Sequence, residues 1–184
     1  PDNREVLDGI AGLWCVNAGH NRKPIVDAIK STAERLDFIS SFSMSHSSAF
    51  DLTNILAERA PAEINNVFLS NSGSAAVDTA LKIARGYHRV RGDSSRFRFI
   101  GRAKAYHGMG WGGLSVGGIG RHRRDFGPLL PGVDHMRHTY DPAISAYSVG
   151  QPEAGADNAN DLLDLIALHD PSTIAGVIVE PVAG

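Results

Sequence analysis

Cysteine is nearly absent from this sequence, whose 184 residues hold only Cys15. A single thiol excludes an intrachain disulfide, and with no second thiol nearby it argues against a cysteine-rich zinc site. That usage suits a reducing cytoplasm, which is the expected location. Charge of one sign is also lacking. Lys and Arg number 18 against 20 Asp and Glu, a formal charge of -2, so nothing draws the chain as a whole toward nucleic acid or an anionic membrane. No apolar run approaches the ~20 residues that cross a bilayer, and Pro1-Asp2-Asn3-Arg4-Glu5 has no signal-peptide core. Small molecules are the expected partners. What is present is 42% hydrophobic residues, enough to bury the core of one ordinary domain. The chain opens on Pro1 and closes on Val179-Glu180-Pro181-Val182-Ala183-Gly184, an apolar strand entering a turn. Domains rarely end on a strand that the next element would cover, so a piece of a longer protein is expected.

Periodicity supplies the elements. Asn21 is a candidate cap before Ile25, Ile29, Ala33 and Leu36, which share a helical stripe and predict a helix over about 22–36. Ala49, Leu52, Leu56 and Ala60 predict a second, stopped by Pro61. Val67-Phe68-Leu69 reads as a short strand, Ser70 to Ser74 as a turn, and Val77, Leu81, Ala84 and His88 as a third helix. Arg98-Phe99-Ile100 and Ile174 to Val179 read as strands, with a helix through Leu162, Leu165, Ile166 and His169 ending near Pro171. Alternating strands and helices predict an α/β fold with a mostly parallel sheet. Residues 108–132 show no periodicity and read as a long loop.

Ser70-Asn71-Ser72-Gly73-Ser74 lies between a strand and a helix. Free backbone amides and the positive end of the helix dipole make such a turn a seat for phosphate, and the hydroxyls of Ser72 or Ser74 add donors. Ser72 as a plain helix cap is the simpler alternative. Other signals carry less. Gly108-Met109-Gly110-Trp111-Gly112-Gly113 fits G-x-G-x-x-G, but Leu114 to Gly118 reads as a poor helix and no acidic residue follows at a ribose position. Arg121-His122-Arg123-Arg124 reads as a solvated or interface loop, and His135 and His138, near Pro131 and Gly132, as loop residues without a third metal ligand.

Asn71-Ser72-Gly73-Ser74-Ala75-Ala76-Val77-Asp78-Thr79-Ala80-Leu81-Lys82-Ile83-Ala84-Arg85 resembles the phosphate loop and helix of class III aminotransferases. Gly12 to His20, Tyr106-His107-Gly108 and Val179-Glu180-Pro181-Val182 resemble the same family in the same order. The first of these stretches, with Leu114 to Gly118 and Leu129 to His135, is most similar to the omega-amino-acid:pyruvate (beta-alanine:pyruvate) branch. The resemblance implies a fold type I, pyridoxal-phosphate-dependent transferase large domain, incomplete in this chain, with residues 1–60 leading into it and 61–184 forming its first part. It implies an enzyme that moves an amino group from an omega-amino acid or amine to pyruvate, as a homodimer. It also implies that Ser72, Gly73 and Ser74 hold the cofactor's phosphate, that Tyr106 stacks on its ring beside His107, that Glu180 lies near it, and that Trp14 walls the substrate pocket. Core packing for Tyr106 and Trp14, a hydrogen-bonded structural His107 and a turn-capping Glu180 are the alternatives. In the family the lysine and aspartate that complete the chemistry follow the Glu-Pro strand, so no catalytic residue is expected here, and Lys23, Lys30, Lys82 and Lys104 match no such position. A truncated, non-catalytic binding or interaction product is the rival reading. Ala75 stands where the family usually has Glu, which could complete a capping box.

Overall fold

The computed structural model describes residues 2–150 and 155–183. They fall into two compact units, Pro1–Val67 and Phe68–Gly184. The first holds α1 (Ala11–Trp14), α2 (Lys23–Arg35) and α3 (Ser47–Arg59). In α1, Ala11, Gly12, Leu13 and Trp14 all have positive φ, a single left-handed turn that costs each non-glycine residue about 1–2 kcal/mol. Pro24 in the first turn of α2 fixes a helical φ where no amide partner is needed. Asn21 does not cap it: Arg22 holds that place without a side-chain bond, and Asn21 itself has φ +53°. Helix α3 ends as expected just before Pro61, whose ring cannot continue it.

The second unit begins with α4 (Gly73–Val90), then β1 (Arg98–Arg102), α5 (Trp111–Val116), α6 (Gly120–Phe126), β2 (Val133–Met136), α7 (Pro142–Ser145), α8 (Gly155–His169) and β3 (Ile174–Val177). The strands pair in parallel in the order β2-β1-β3. Phe99, Val116 and Ala175 form the core, with Val77, Leu81 and Ala84 of α4 packed against it. Val116, like the adjacent Ile100, is fully buried, and each such side chain contributes about 1.5–3 kcal/mol. Helix α4 is tied to the sheet again where His88 Nε2 donates to the Ala175 carbonyl at 3.0 Å.

Three expectations are corrected. Val67-Phe68-Leu69 forms no strand, because no other described segment offers it a ladder of backbone partners. Residues 108–132 contain α5 and α6 instead of one loop. Glycine-rich α5 has no helical periodicity to read because it is buried on all sides, from Gly112 to Val116. His135 is a strand residue in β2, and its Nε2 meets the Gly117 carbonyl at 2.9 Å. Among the described residues no helix is long and apolar enough to cross a membrane.

Candidate cofactor site

Ser72 begins α4 as its N-cap: backbone extended, its Oγ accepts the Ala75 N–H at 3.1 Å. The N–H groups of Gly73 and Ser74 are then the ones left facing outward without partners among the described residues, at the positive end of an 18-residue helix. Nothing lies within 4 Å of a Cβ placed on Gly73, so a ligand can approach this backbone closely. Ser74 Oγ accepts the Met109 N–H at 3.0 Å. A hydroxyl that accepts one bond keeps its own hydrogen to donate, so Ser74 can still serve an anion.

That bond brings the Tyr106-His107-Gly108 segment against α4. Gly108 has φ +101°, and a Cβ there would lie 2.7 Å from Ser74 Cα, so only glycine lets the two backbones meet. Asp78, one turn beyond Ser74, accepts the Gly113 N–H at 2.7 Å and so holds the first turn of α5, which has no side-chain cap of its own. The result is an open cleft of ≈ 350 Å³ lined by Ser72, Gly73, Ser74, Val77, Tyr106, His107 and Gly108.

Five of the residues expected from sequence thus line one cleft: Ser72, Gly73, Ser74, Tyr106 and His107. Tyr106 is 50% exposed, with one edge contact to His122 at 6.5 Å between centroids, which leaves ring surface for a flat ligand. His107 is 8% exposed, and its Nε2 is buried without a partner. Burial pushes this imidazole below its ordinary range, with the Glu180 charge acting against that push, so His107 is held toward the neutral form. Glu180 is not a lining residue of the cleft. Its Oε1 accepts the Tyr106 N–H at 2.9 Å, and its Oε2 accepts from Arg102 at 2.9 Å. Burial works to raise the Glu180 carboxyl, but the Tyr106 amide and the Arg102 guanidinium outweigh it and hold the group below the usual carboxylate range. Trp14 belongs to the first unit, where it is 72% exposed at the end of the left-handed turn.

Asp78 and Arg102 were not singled out from sequence. Asp78 shares a helix face with Ser74 at i+4, and Arg102 is a buried charge at the end of β1. Both signals were readable. A phosphate ester on a flat ring fits this cleft, because free amides, a hydroxyl hydrogen and an aromatic face converge there. No group of His, Cys, Asp and Glu among the described residues could hold a metal ion.

The sequence profile of the family described as aminotransferase class-III matches residues 1–184. An omega-aminotransferase of Caulobacter vibrioides is 53% identical over 184 residues, an alignment covering 100% of this chain and 42% of that protein. A beta-alanine:pyruvate aminotransferase of Pseudomonas aeruginosa is 44% identical over 182 residues, covering 98% and 40%. Among solved structures, a thermostable (S)-enantioselective omega-transaminase from Thermomicrobium roseum superposes with a TM-score of 0.88 at 34% identity, covering 97% of this chain and 40% of that one. An amine transaminase from an uncultivated Pseudomonas species, in its PLP-bound form, gives 0.85 at 36%, with the same coverage. The parallel α/β fold is that of these transaminases, in part. The chain spans about two-fifths of the curated relatives it matches, 42% and 40% in the two named.

Proposed function

The chain belongs to the class III aminotransferases, and we propose that the protein carrying it transfers an amino group from an omega-amino acid or amine to pyruvate with pyridoxal phosphate as cofactor. The observation that carries this reading is the convergence of Ser72, Gly73, Ser74, Tyr106 and His107 on one cleft at the start of α4. The substrate class rests on what the relatives are named for, an omega-aminotransferase and a beta-alanine:pyruvate aminotransferase. Homodimer formation and a cytoplasmic setting belong to the same proposal, and sedimentation tests the first.

In this reading the amides of Gly73 and Ser74 and the Ser74 hydroxyl hold the phosphate, helped by the α4 dipole. Tyr106 offers its face to the ring. A neutral His107 adds no positive charge that would disfavour protonation of the ring. Glu180 holds the Tyr106 backbone by accepting its amide N–H. When bound, pyridoxal phosphate supplies a carbonyl that captures amines and a ring that withdraws electrons. Trp14 is proposed as a wall for the amino donor. None of Lys23, Lys30, Lys82 and Lys104 lines the cleft, so the lysine that carries the proton is proposed to lie in the remainder of the protein.

The test uses the full-length protein with pyridoxal phosphate, beta-alanine and pyruvate. Alanine should accumulate, and borohydride should fix the cofactor onto a lysine in a peptide outside this chain. Cofactor that neither binds nor can be fixed would replace this reading with the non-catalytic one.

A further inference from the structure

We infer that Arg102 is a positioning residue for the cofactor cleft: its guanidinium fixes the Glu180 carboxylate, and through that carboxylate the Tyr106 to Gly108 wall. The inference rests on the proposed cofactor reading and deepens it. Strands β1 and β3 run parallel, and the Ile178 N–H donates to the Ile100 carbonyl at 2.9 Å. Two residues further along each, Arg102 and Glu180 meet at the carboxyl edge of the sheet, where open α/β folds bind ligands. One guanidinium nitrogen of Arg102 donates both to Glu180 Oε2 at 2.9 Å and to the Glu180 carbonyl at 3.1 Å. The other carboxylate oxygen accepts the Tyr106 N–H. Each oxygen has its own partner, so the carboxylate cannot rotate without losing one of them.

Charge balance alone would not require this division. An ion pair serving only to neutralise Glu180 could hold either oxygen, whereas here the cation takes Oε2 and the carbonyl behind it, leaving Oε1 for the ring wall. Arg102 is 8% exposed, and its Nε is buried without a partner, so the site tolerates an unsatisfied donor to keep this geometry. The titratable group that faces the pair is His107, which His135 acts on in turn. Glu180 and Arg102 act on His107 in opposite directions, so together they leave its state to burial.

The experiment uses the full-length protein with Arg102→Met, Arg102→Lys, Glu180→Gln and the Arg102→Met/Glu180→Gln double variant. It reads amide hydrogen exchange at Tyr106 without cofactor, the Kd for pyridoxal phosphate, and exchange in the second half of α4. Arg102→Met should speed exchange at Tyr106 at least roughly tenfold and weaken cofactor binding by roughly ten- to a hundredfold, with Ala84 to Val90 unchanged. Arg102→Lys should recover part of both. The double variant should be no worse than Arg102→Met, because both changes act through one carboxylate. Multiplying effects, or Tyr106 exchange that ignores Arg102, would overturn the inference. If Arg102→Met does not fold, Arg102→Lys decides: selective loosening at Tyr106 supports positioning, and uniform loosening of every segment refutes it. A wild-type protein that binds no cofactor while Tyr106 still responds to Arg102 sinks the cofactor reading and leaves the positioning role; the reverse pattern does the opposite.

Discussion

The two units are held by different kinds of interaction. In Pro1–Val67 no described residue is buried, and the longest side-chain hydrogen bond, between His20 and Asp8, spans 12 residues. In Phe68–Gly184 the bonds from Tyr106 and Arg102 to Glu180 span 74 and 78 residues, and that from His88 to Ala175 spans 87. Local bonds make helices; long bonds assemble a site. A substitution in the second unit should therefore disturb parts of the chain far from it, and one in the first should not.

The largest expected effect is at Gly108. Gly108→Ala puts a methyl group against Ser74 in a backbone conformation that L side chains rarely adopt, and should cost about 3 kcal/mol and abolish tight cofactor binding. Thermal melting and a binding titration check both. Ser74→Ala removes the acceptor for Met109 and should cost about 1 kcal/mol, with a weaker Kd for pyridoxal phosphate than melting alone would suggest. Acid should act on the second unit too. His107 and His135 are both held below their ordinary imidazole range by burial. The unfolded chain takes up those protons first, so their contribution to stability is complete above about pH 6.5 and is lost as pH falls through their folded values. Denaturant midpoints followed from pH 7.5 to 5, with a His107→Gln/His135→Gln variant flattening the slope, check the sign. Ala75→Glu should sharpen the start of α4, since Glu at the third helical position can reach back to the Ser72 N–H and add about 0.5–1 kcal/mol. Lys23→Ala breaks only an exposed i,i+4 pair with Asp27 and should change stability by less than about 0.5 kcal/mol. A Lys23→Ala effect as large as that of Ser74→Ala would erase the contrast between the units.

The same contrast explains what could be read from sequence. The ranges of α2, α3 and α4 follow from apolar stripes, Pro61 and Ser72, all local signals, whereas the cap expected at Asn21 did not form. The turn before α4 was legible because a strand-like run, small residues and a helix follow one another directly. Val67 to Leu69 has strand composition but lacks a paired neighbour, and pairing is a property of the fold, not of three residues. Helix α5 stayed hidden because its glycines serve packing: Gly110 and Gly112 leave room for the Asp78 carboxylate, which also supplies the missing cap from α4. Arg102 and Glu180 could each be seen as a charge at a strand end. Their partnership across 78 residues depended on the parallel order β2-β1-β3, which periodicity does not reveal.

The central claim is that the cofactor seat lies wholly at the start of α4 and the carboxyl edge of the sheet, so far as this chain supplies it. Hydrogen exchange of the full-length protein with and without pyridoxal phosphate tests it most directly. The account predicts new protection over residues 72–78 and 105–109, with little change over 23–59. Protection confined to 23–59, or cofactor bound with residues 72–78 and 105–109 unaffected, would contradict it.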